Sequence, residues 1–298
     1  NTWQQAAMQE LAGAAPFEKL RLNKGSLTVL PYYDATDVTN EKNFALPPAD
    51  YPFLGARCWF NMPAIRVTDA KKDNSLANHH LQQGADGICF HFSEGNSVSI
   101  TALLANIDLS ACAIQLHGSP TDGMMREFRE HAMNHFSGKL RGAAFVDNPV
   151  DGLGIDVNNS QFYSSAVVVA SQSPVEEILF CAEQCQAAKT KIAVSLNIGL
   201  DFFLEIAKLK VLRRVLGAHA YIHATSSPFI QNAYQPHGNL LKSTTAALAA
   251  ILGGCDALTV TPEDDTNEMM QRMARNISSI LREESHVHHV ADATQGSY

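Results

Sequence analysis

The chain has 298 residues, 46% of them hydrophobic and 17% charged, and a formal net charge of −8. That apolar fraction is enough for a large core and excludes global disorder, which needs low hydrophobicity and high charge. With 30 acidic against 22 basic residues and no basic stripe, no nucleic-acid partner is expected, because phosphate neutralisation needs clustered Lys and Arg.

The N-terminal stretch "NTWQQAAMQELAGAAPFEKL" carries an amphipathic helix pattern over residues 1–20 and lacks the basic region and apolar block of a secretory leader. Residues 21–55 are polar and punctuated by proline, as in "LPYYD" and "LPPADYPF". Adjacent prolines fix φ and bias their neighbours to extended backbone, so residues 1–55 read as an arm and residues 56–298 as one α/β domain.

From Arg57 onward, β-rich runs alternate with helical patterns. The runs are "RCWFNMPAI", "DGICFHF", "CAIQLHG", "GAAFVD", "SSAVVVA", "KIAVSLN", "AYIHAT" and "DALTVT". Most are continuously apolar, as parallel strands buried on both faces should be. Helices are expected over 73–83, 96–106, 121–136, 174–189, 200–216, 238–252 and 263–284. Alternation of this kind points to a closed (β/α)8 TIM barrel. The segment "NPVDGLGIDVNNSQ" is too rich in Gly, Asn and Asp for a regular helix, which leaves an open doubly wound sheet as the alternative.

In "GLDFFLEIAKLKVLRRVLG", Phe202, Ile206 and Leu209 form an apolar ridge joined by Phe203 and Ala207. Asp201, Glu205 and Lys208 mark the opposite side, with Glu205 and Lys208 spaced to pair at i, i+3. Six cysteines (Cys58, Cys89, Cys112, Cys181, Cys185 and Cys255) lack the dense spacing of a small secreted scaffold and are expected to be reduced, in a cytoplasmic chain. No apolar run approaches the roughly 18 residues of a membrane span.

Few motifs carry chemistry. "HAMNH" sets His131 and His135 at i, i+4, but Ala132 stands where the metalloprotease pattern needs Glu. Cys181 and Cys185 share a helix face and read as packing. His286, His288 and His289 in "HVHHV" lie near the chain end and read as solvated, so no metal site is expected. "GLG" at 152–154 and "GNLLKST" each miss a glycine of a phosphate cradle. Ser226 and Ser227 lie near His223 without a nucleophile elbow, and His223 reads as a satisfied core or barrel-mouth histidine. Between Ser165 and Gln172, just before a capped helix, no side chain can move a proton.

The C-terminal third resembles a known family. "NIGLDFFLEIAKLKVLRR", "AYIHATSSPF", "AALAAILGGCDALTVTP", "RMARNISSILREES" and "VADATQGSY" follow the order and spacing of the adenosylcobalamin-dependent methylmalonyl-CoA mutases over residues 160–298. Weaker matches, "YPFLGARCW" and "LQQGADGICFHF", extend it to about residue 50, and "FEKL" and "LPYYDATD" are similar to the arm of the family's small subunit. The resemblance implies a (β/α)8 barrel that threads acyl-CoA along its axis, and a subunit-contacting role for residues 1–55. It also implies a cobalamin-binding domain bearing Asp-x-His-x-x-Gly, a motif this sequence does not contain, so adenosylcobalamin is expected on a large partner subunit.

The family's catalytic Trp-x-Ile-Arg-Gln-Tyr reads "WFNMPA" here. Trp59 is kept, the Arg falls on Met62 and the Tyr on Ala64. The Gly-Tyr-His-Met stretch falls near "SSAVV", putting the Tyr on Ser165 and the His on Ala166, and Tyr221 replaces the Arg of Arg-Thr-His. Asn276 and Glu284 match positions near the substrate cavity, and with His223 they are the substrate-binding candidates. No catalytic residue is expected. The resemblance thus implies the non-catalytic small subunit of a heterodimeric mutase, with a free-standing acyl-CoA-binding barrel as the alternative.

Overall fold

The computed structural model describes residues 2–34, 36–37, 45–48, 55–134, 140–146, 161–164, 166–170, 173–187, 192–227 and 236–294. The expected non-helical segment 147–160 lies outside them. The chain divides into two compact units, residues 1–45 with 294–298, and residues 46–293.

In the first unit, α1 (Thr2–Glu10) and α2 (Pro16–Lys19) precede an antiparallel hairpin of β1 (Leu22–Lys24) and β2 (Leu27–Val29). The single helix expected over 1–20 is broken, because Ala12 and Gly13 both adopt positive φ and Pro16 restarts the helix at its first turn. Trp3 stacks on Tyr32 at 4.9 Å and meets Phe17 edge-on at 5.4 Å, an aromatic knot in place of an amphipathic face.

The second unit runs β3 (Phe60–Asn61), β4 (Ala64–Arg66), α3 (Ala70–Gln82), β5 (Gly87–Phe92), α4 (Ile100–Leu103), β6 (Ala113–Gly118), α5 (Asp122–Asn134), β7 (Arg141–Val146), β8 (Gln161–Tyr163), β9 (Ala166–Val168), α6 (Pro174–Ala187), β10 (Ala193–Ile198), α7 (Phe202–Leu216), β11 (Tyr221–Ser226), α8 (Pro236–Gly253), β12 (Ala257–Thr259) and α9 (Glu268–Glu283). It is an α/β fold with two five-stranded parallel sheets, ordered β4-β5-β6-β7-β8 and β3-β12-β11-β10-β9. The run "RCWFNMPAI" is one expected strand and two observed ones. Pro63 has no N–H to give a ladder, so the chain leaves one sheet after Asn61 and joins the other at Ala64. Strand β8 was not legible as a separate strand.

Side chains alternate along each strand. Ile88, Phe90, Ile114, Leu116, Ala144 and Val146 pack under α3, α4 and α5, while Val194, Leu196, Ile222, Ala224 and Leu258 pack under α6 to α9. Each large side chain so buried contributes about 1.5–3 kcal/mol. The alternate residues face the other way. Met62, Ala113, Ala143, Phe145, Ala193, Tyr221 and Ala257, drawn from both sheets, form a third cluster. Gly87 belongs to this packing, because a Cβ there would meet Met62 Sδ at 2.6 Å and the Ala113 carbonyl at 2.1 Å.

Two aspartates fasten the strand starts. Asp86 accepts from Asn61 N–H (2.6 Å) and pairs with Arg282 of α9 through both carboxylate oxygens (2.6 and 3.1 Å). Asp256 accepts from Ile222 N–H (2.7 Å) and pairs with Arg213 of α7 (2.5 Å). "GADGI" and "GCDAL" are thus one device used twice, linking the carboxylate ahead of a strand to an earlier strand's backbone and to a helix cation. Arg282 also lies over the Trp59 ring, whose indole donates to Ser278 Oγ at 2.8 Å.

Helix α7 departs from the sequence reading. Glu205 and Lys208, expected on the solvent side, are buried, and Phe203, expected on the apolar ridge, is 80% exposed. Lys208 Nζ lies 2.8 Å from Glu177 and 2.7 Å from Glu205 and donates to the Asn197 carbonyl, so α7 turns its charged side toward α6. The i, i+3 pair forms, but inside.

Candidate functional site

At the carboxyl ends of the strands lies a cleft of about 710 Å³ to which both sheets contribute: Ala64–Arg66 and His91 from one, Asn197, Thr225 and Thr259 from the other. Its rim carries Lys72, Glu268 and an exposed Arg66–Asp265 pair at 3.0 Å. Asp69 caps α3 by accepting from Lys71 and Lys72 N–H, and Asp73 reaches back to Asp69 N–H, which fixes the wall that bears Lys72.

Three imidazoles meet at and below the cleft floor. His91 and His117 are register partners on β5 and β6, and their rings stack at 4.7 Å. His117 touches His223 edge-on at 5.3 Å and Phe145 at 4.6 Å. Cys89, two residues before His91 and on the same strand face, sets its Sγ 3.3 Å from His91 Nε2. Burial, reinforced by the neighbouring histidines, pushes His117 well below the ordinary imidazole range. Burial and Arg66 lower His91, the ring open to the cleft, and burial with His91 brings His223 to about 3. All three are therefore neutral at pH 7.

His223 is fully satisfied. Thr259 Oγ1 donates to the Met62 carbonyl (2.6 Å), so it accepts from His223 Nε2–H (2.9 Å), which leaves Nδ1 to accept from Ser195 Oγ–H (2.8 Å). This Ser–His contact is buried and lacks a carboxylate, so it orders the interior and is not a nucleophile dyad. Ser226 is engaged elsewhere, its Oγ accepting from Thr261 N–H.

The three substrate-binding candidates are not brought together. His223 is 1% exposed between the sheets, Asn276 lies half-buried on α9, and Glu284 is exposed at the end of that helix. Ala64 lines the cleft, whereas Ala166 sits at the start of β9 beside Ala193, outside its lining, and Ser165 lies outside the described residues. His135 also lies outside them, so the His131–His135 spacing has no structural account. His286, His288 and His289 gather on a surface 3-10 turn. The six cysteines are free thiols, and burial raises Cys181 to about 12. No helix among the described residues is long and apolar enough to cross a membrane.

Sequence reasoning missed Cys89, His91 and His117. The signal was there in "CFHF" and "QLHG", each with a His just before the strand's last residue, but only the β5–β6 register brings the two together.

The methylmalonyl-CoA mutase family model matches residues 183–298. Over that stretch the chain is similar to the methylmalonyl-CoA mutases. The methylmalonyl-CoA mutase small subunit of Porphyromonas gingivalis is 24% identical over 364 aligned positions, covering 99% of this chain and 59% of the relative. That of Streptomyces virginiae is 39% identical over 113 residues, covering 33% of this chain and 18% of the relative. The mitochondrial methylmalonyl-CoA mutase of Homo sapiens is 31% identical over 121 residues, 34% of this chain and 16% of that protein. The chain thus spans about three fifths of the first of these mutases and under a fifth of the other two. Among solved structures, Yersinia pestis DHPS with a pterine-sulfa conjugate aligns at a TM-score of 0.40 and 14% identity, over 89% of this chain and 99% of that one. A likeness at that level carries no argument.

Proposed function

We propose that this chain is the small subunit, or part of it, of a heterodimeric adenosylcobalamin-dependent mutase that interconverts methylmalonyl-CoA and succinyl-CoA in the cytoplasm, and that it supports a large catalytic subunit without itself catalysing. The observation that carries the reading is the filled space between the sheets. Met62, Gln115, Phe145 and Tyr221 are all buried there, and Gln115 Nε2 donates to Tyr221 Oη at 2.9 Å. In this reading the two sheets close into one (β/α)8 barrel, β3 and β4 joining them at one corner and β8 and β9 forming the other two edges. An acyl-CoA on the barrel axis would meet packed side chains, and Ala64 and Ala166 stand where the family resemblance puts Tyr and His.

A stripe of Phe203, Ala207, Val211 and Val215 along α7 is exposed, with Leu179 and Phe180 on the neighbouring α6. Apolar patches of this kind favour a protein partner. Residues 1–55 add a second contact to the same partner.

Adenosylcobalamin does not fit the residues present. The imidazole lining the cleft, His91, lies at the floor against Cys89 and His117, not at a tip that could reach a corrin's lower face. The cleft has the volume of a drug-sized site, far below that of a corrin with its nucleotide loop. The cofactor is assigned to the partner.

Co-expression with a large mutase subunit tests the proposal. Association below micromolar concentration is expected, together with no isomerase turnover by this chain alone with adenosylcobalamin. Failure to associate, or turnover without a partner, would overturn it. The cleft favours a second reading, a free-standing acyl-CoA-binding protein, and calorimetric binding of acyl-CoA to the isolated chain would select it.

A further inference from the structure

We propose that Cys89, His91 and His117 form a divalent-metal site of the zinc type at the floor of the cleft, with one coordination position open toward it. The fold delivers the three side chains together. Cys89 and His91 are two residues apart on β5 and share a face, and His117 stands opposite His91 on β6. Their ligand atoms lie within 4.8 Å of one another. The 3.3 Å between Cys89 Sγ and His91 Nε2 is close to the separation of about 3.5 Å that bonds of about 2.3 Å and 2.0–2.1 Å give around a tetrahedral ion. The His117 ring must swing a little inward to complete the set.

A second observation points to a ligand independently of the spacing. His117 is 6% exposed, yet its Nε2 has no hydrogen-bond partner. An unpaired buried nitrogen costs about 1–3 kcal/mol. His223 beside it shows how the interior satisfies an imidazole when it means to, with Ser195 and Thr259 on its two nitrogens. No such partner meets His117 Nε2, and a metal ion would supply one.

The chemistry suits the set. Thiolate with two imidazoles is a borderline-soft donor group that selects zinc-like ions over Mg2+ or Ca2+, and three protein ligands with an open fourth place are the pattern of reactive zinc sites. Neutral imidazoles keep their lone pairs free. Burial raises the Cys89 thiol, so binding must release its proton, and affinity is expected to rise with pH. His91, open to the cleft, is the entry path.

Cobalt(II) reports directly on thiolate ligation. The surface trio His286, His288 and His289 is also a possible chelate, so the titration is made in a background carrying His286→Ala, His288→Ala and His289→Ala. One equivalent of cobalt is expected to bind with a thiolate-to-cobalt charge-transfer band and intense tetrahedral visible bands, and zinc should displace it. Cys89→Ser should abolish the charge-transfer band, and His91→Ala, which alters a side chain open to the cleft, should weaken binding at least tenfold. Absence of the band in the background protein overturns the site, as does its persistence in Cys89→Ser. Should circular dichroism show that Cys89→Ser does not fold, unchanged affinity in His91→Ala overturns it instead. The assay uses the isolated chain with no partner, acyl-CoA or cobalamin, so its outcome is independent of the subunit proposal.

Discussion

At the residue scale, the decisive feature is how many imidazoles this chain buries in neutral form. His80 accepts from Arg275 Nη1 at 2.8 Å, and burial, then Arg275 and His79, lower it to about 4. An unfolded histidine titrates near 6.5, so between about pH 6.5 and 4 the unfolded chain binds a proton that the folded one refuses. Stability from this residue is therefore complete above about pH 6.5 and is lost as pH falls toward 4, at up to about 1.4 kcal/mol per pH unit. Calorimetric melting temperatures should drop through that window, and His80→Gln should flatten the decline by one proton's worth. The sequence drew attention to "HAMNH" and "HVHHV", which have the local spacing, and not to His91 and His117, which are 26 positions apart. A motif search sees neighbours along the chain, and this cluster is made of neighbours across a sheet.

At the element scale, α7 shows where periodicity misleads. A helix charged on one side and apolar on the other reads as surface and core, yet here Glu205 and Lys208 are buried along with the ridge residues Ile206 and Leu209. Lys208 is enclosed by Glu177 of α6, Glu205 and the Asn197 carbonyl, a triad that a helical wheel cannot tell from a solvated face. Removing one member of a buried ion cluster strands the others and typically costs about 3–5 kcal/mol. Lys208→Met is expected to lose about 3 kcal/mol or more in urea unfolding, whereas Lys210→Met, changing a less enclosed cation paired with Asp292, should lose less. Each expected helix of 56–298 has a counterpart, but that over 96–106 is a single turn, Ile100–Leu103, and that over 263–284 begins at Glu268; where ends match, local signals set them, such as Asp69 at the start of α3 and Gly217 just past the end of α7.

At the scale of the whole molecule, the inner faces of the sheets are filled with aromatic and polar side chains, and an apolar stripe is left outside. A catalytic barrel needs the first to be open, and a lone protein gains nothing from the second. Both features fit the supporting role proposed above. Phe203→Glu is expected to leave stability within about 0.5 kcal/mol, since the side chain is 80% exposed, yet to weaken association with the proposed large subunit tenfold or more, as read by sedimentation. Unchanged affinity would remove α7 from the interface.

The alternation of strands and helices, their parallel pairing and the likeness of the C-terminal third to the methylmalonyl-CoA mutases were legible in the sequence, because continuous apolar runs, caps and blocks such as "GCDALTVTP" are local patterns that survive linear reading. Tertiary structure alone decided that Pro63 parts one run between two sheets, that Glu205 and Lys208 point inward, and that Cys89, His91 and His117 converge. Those depend on which face of a strand or helix meets which neighbour, and in a chain buried on both faces the sequence carries no hydropathy contrast to tell one face from the other.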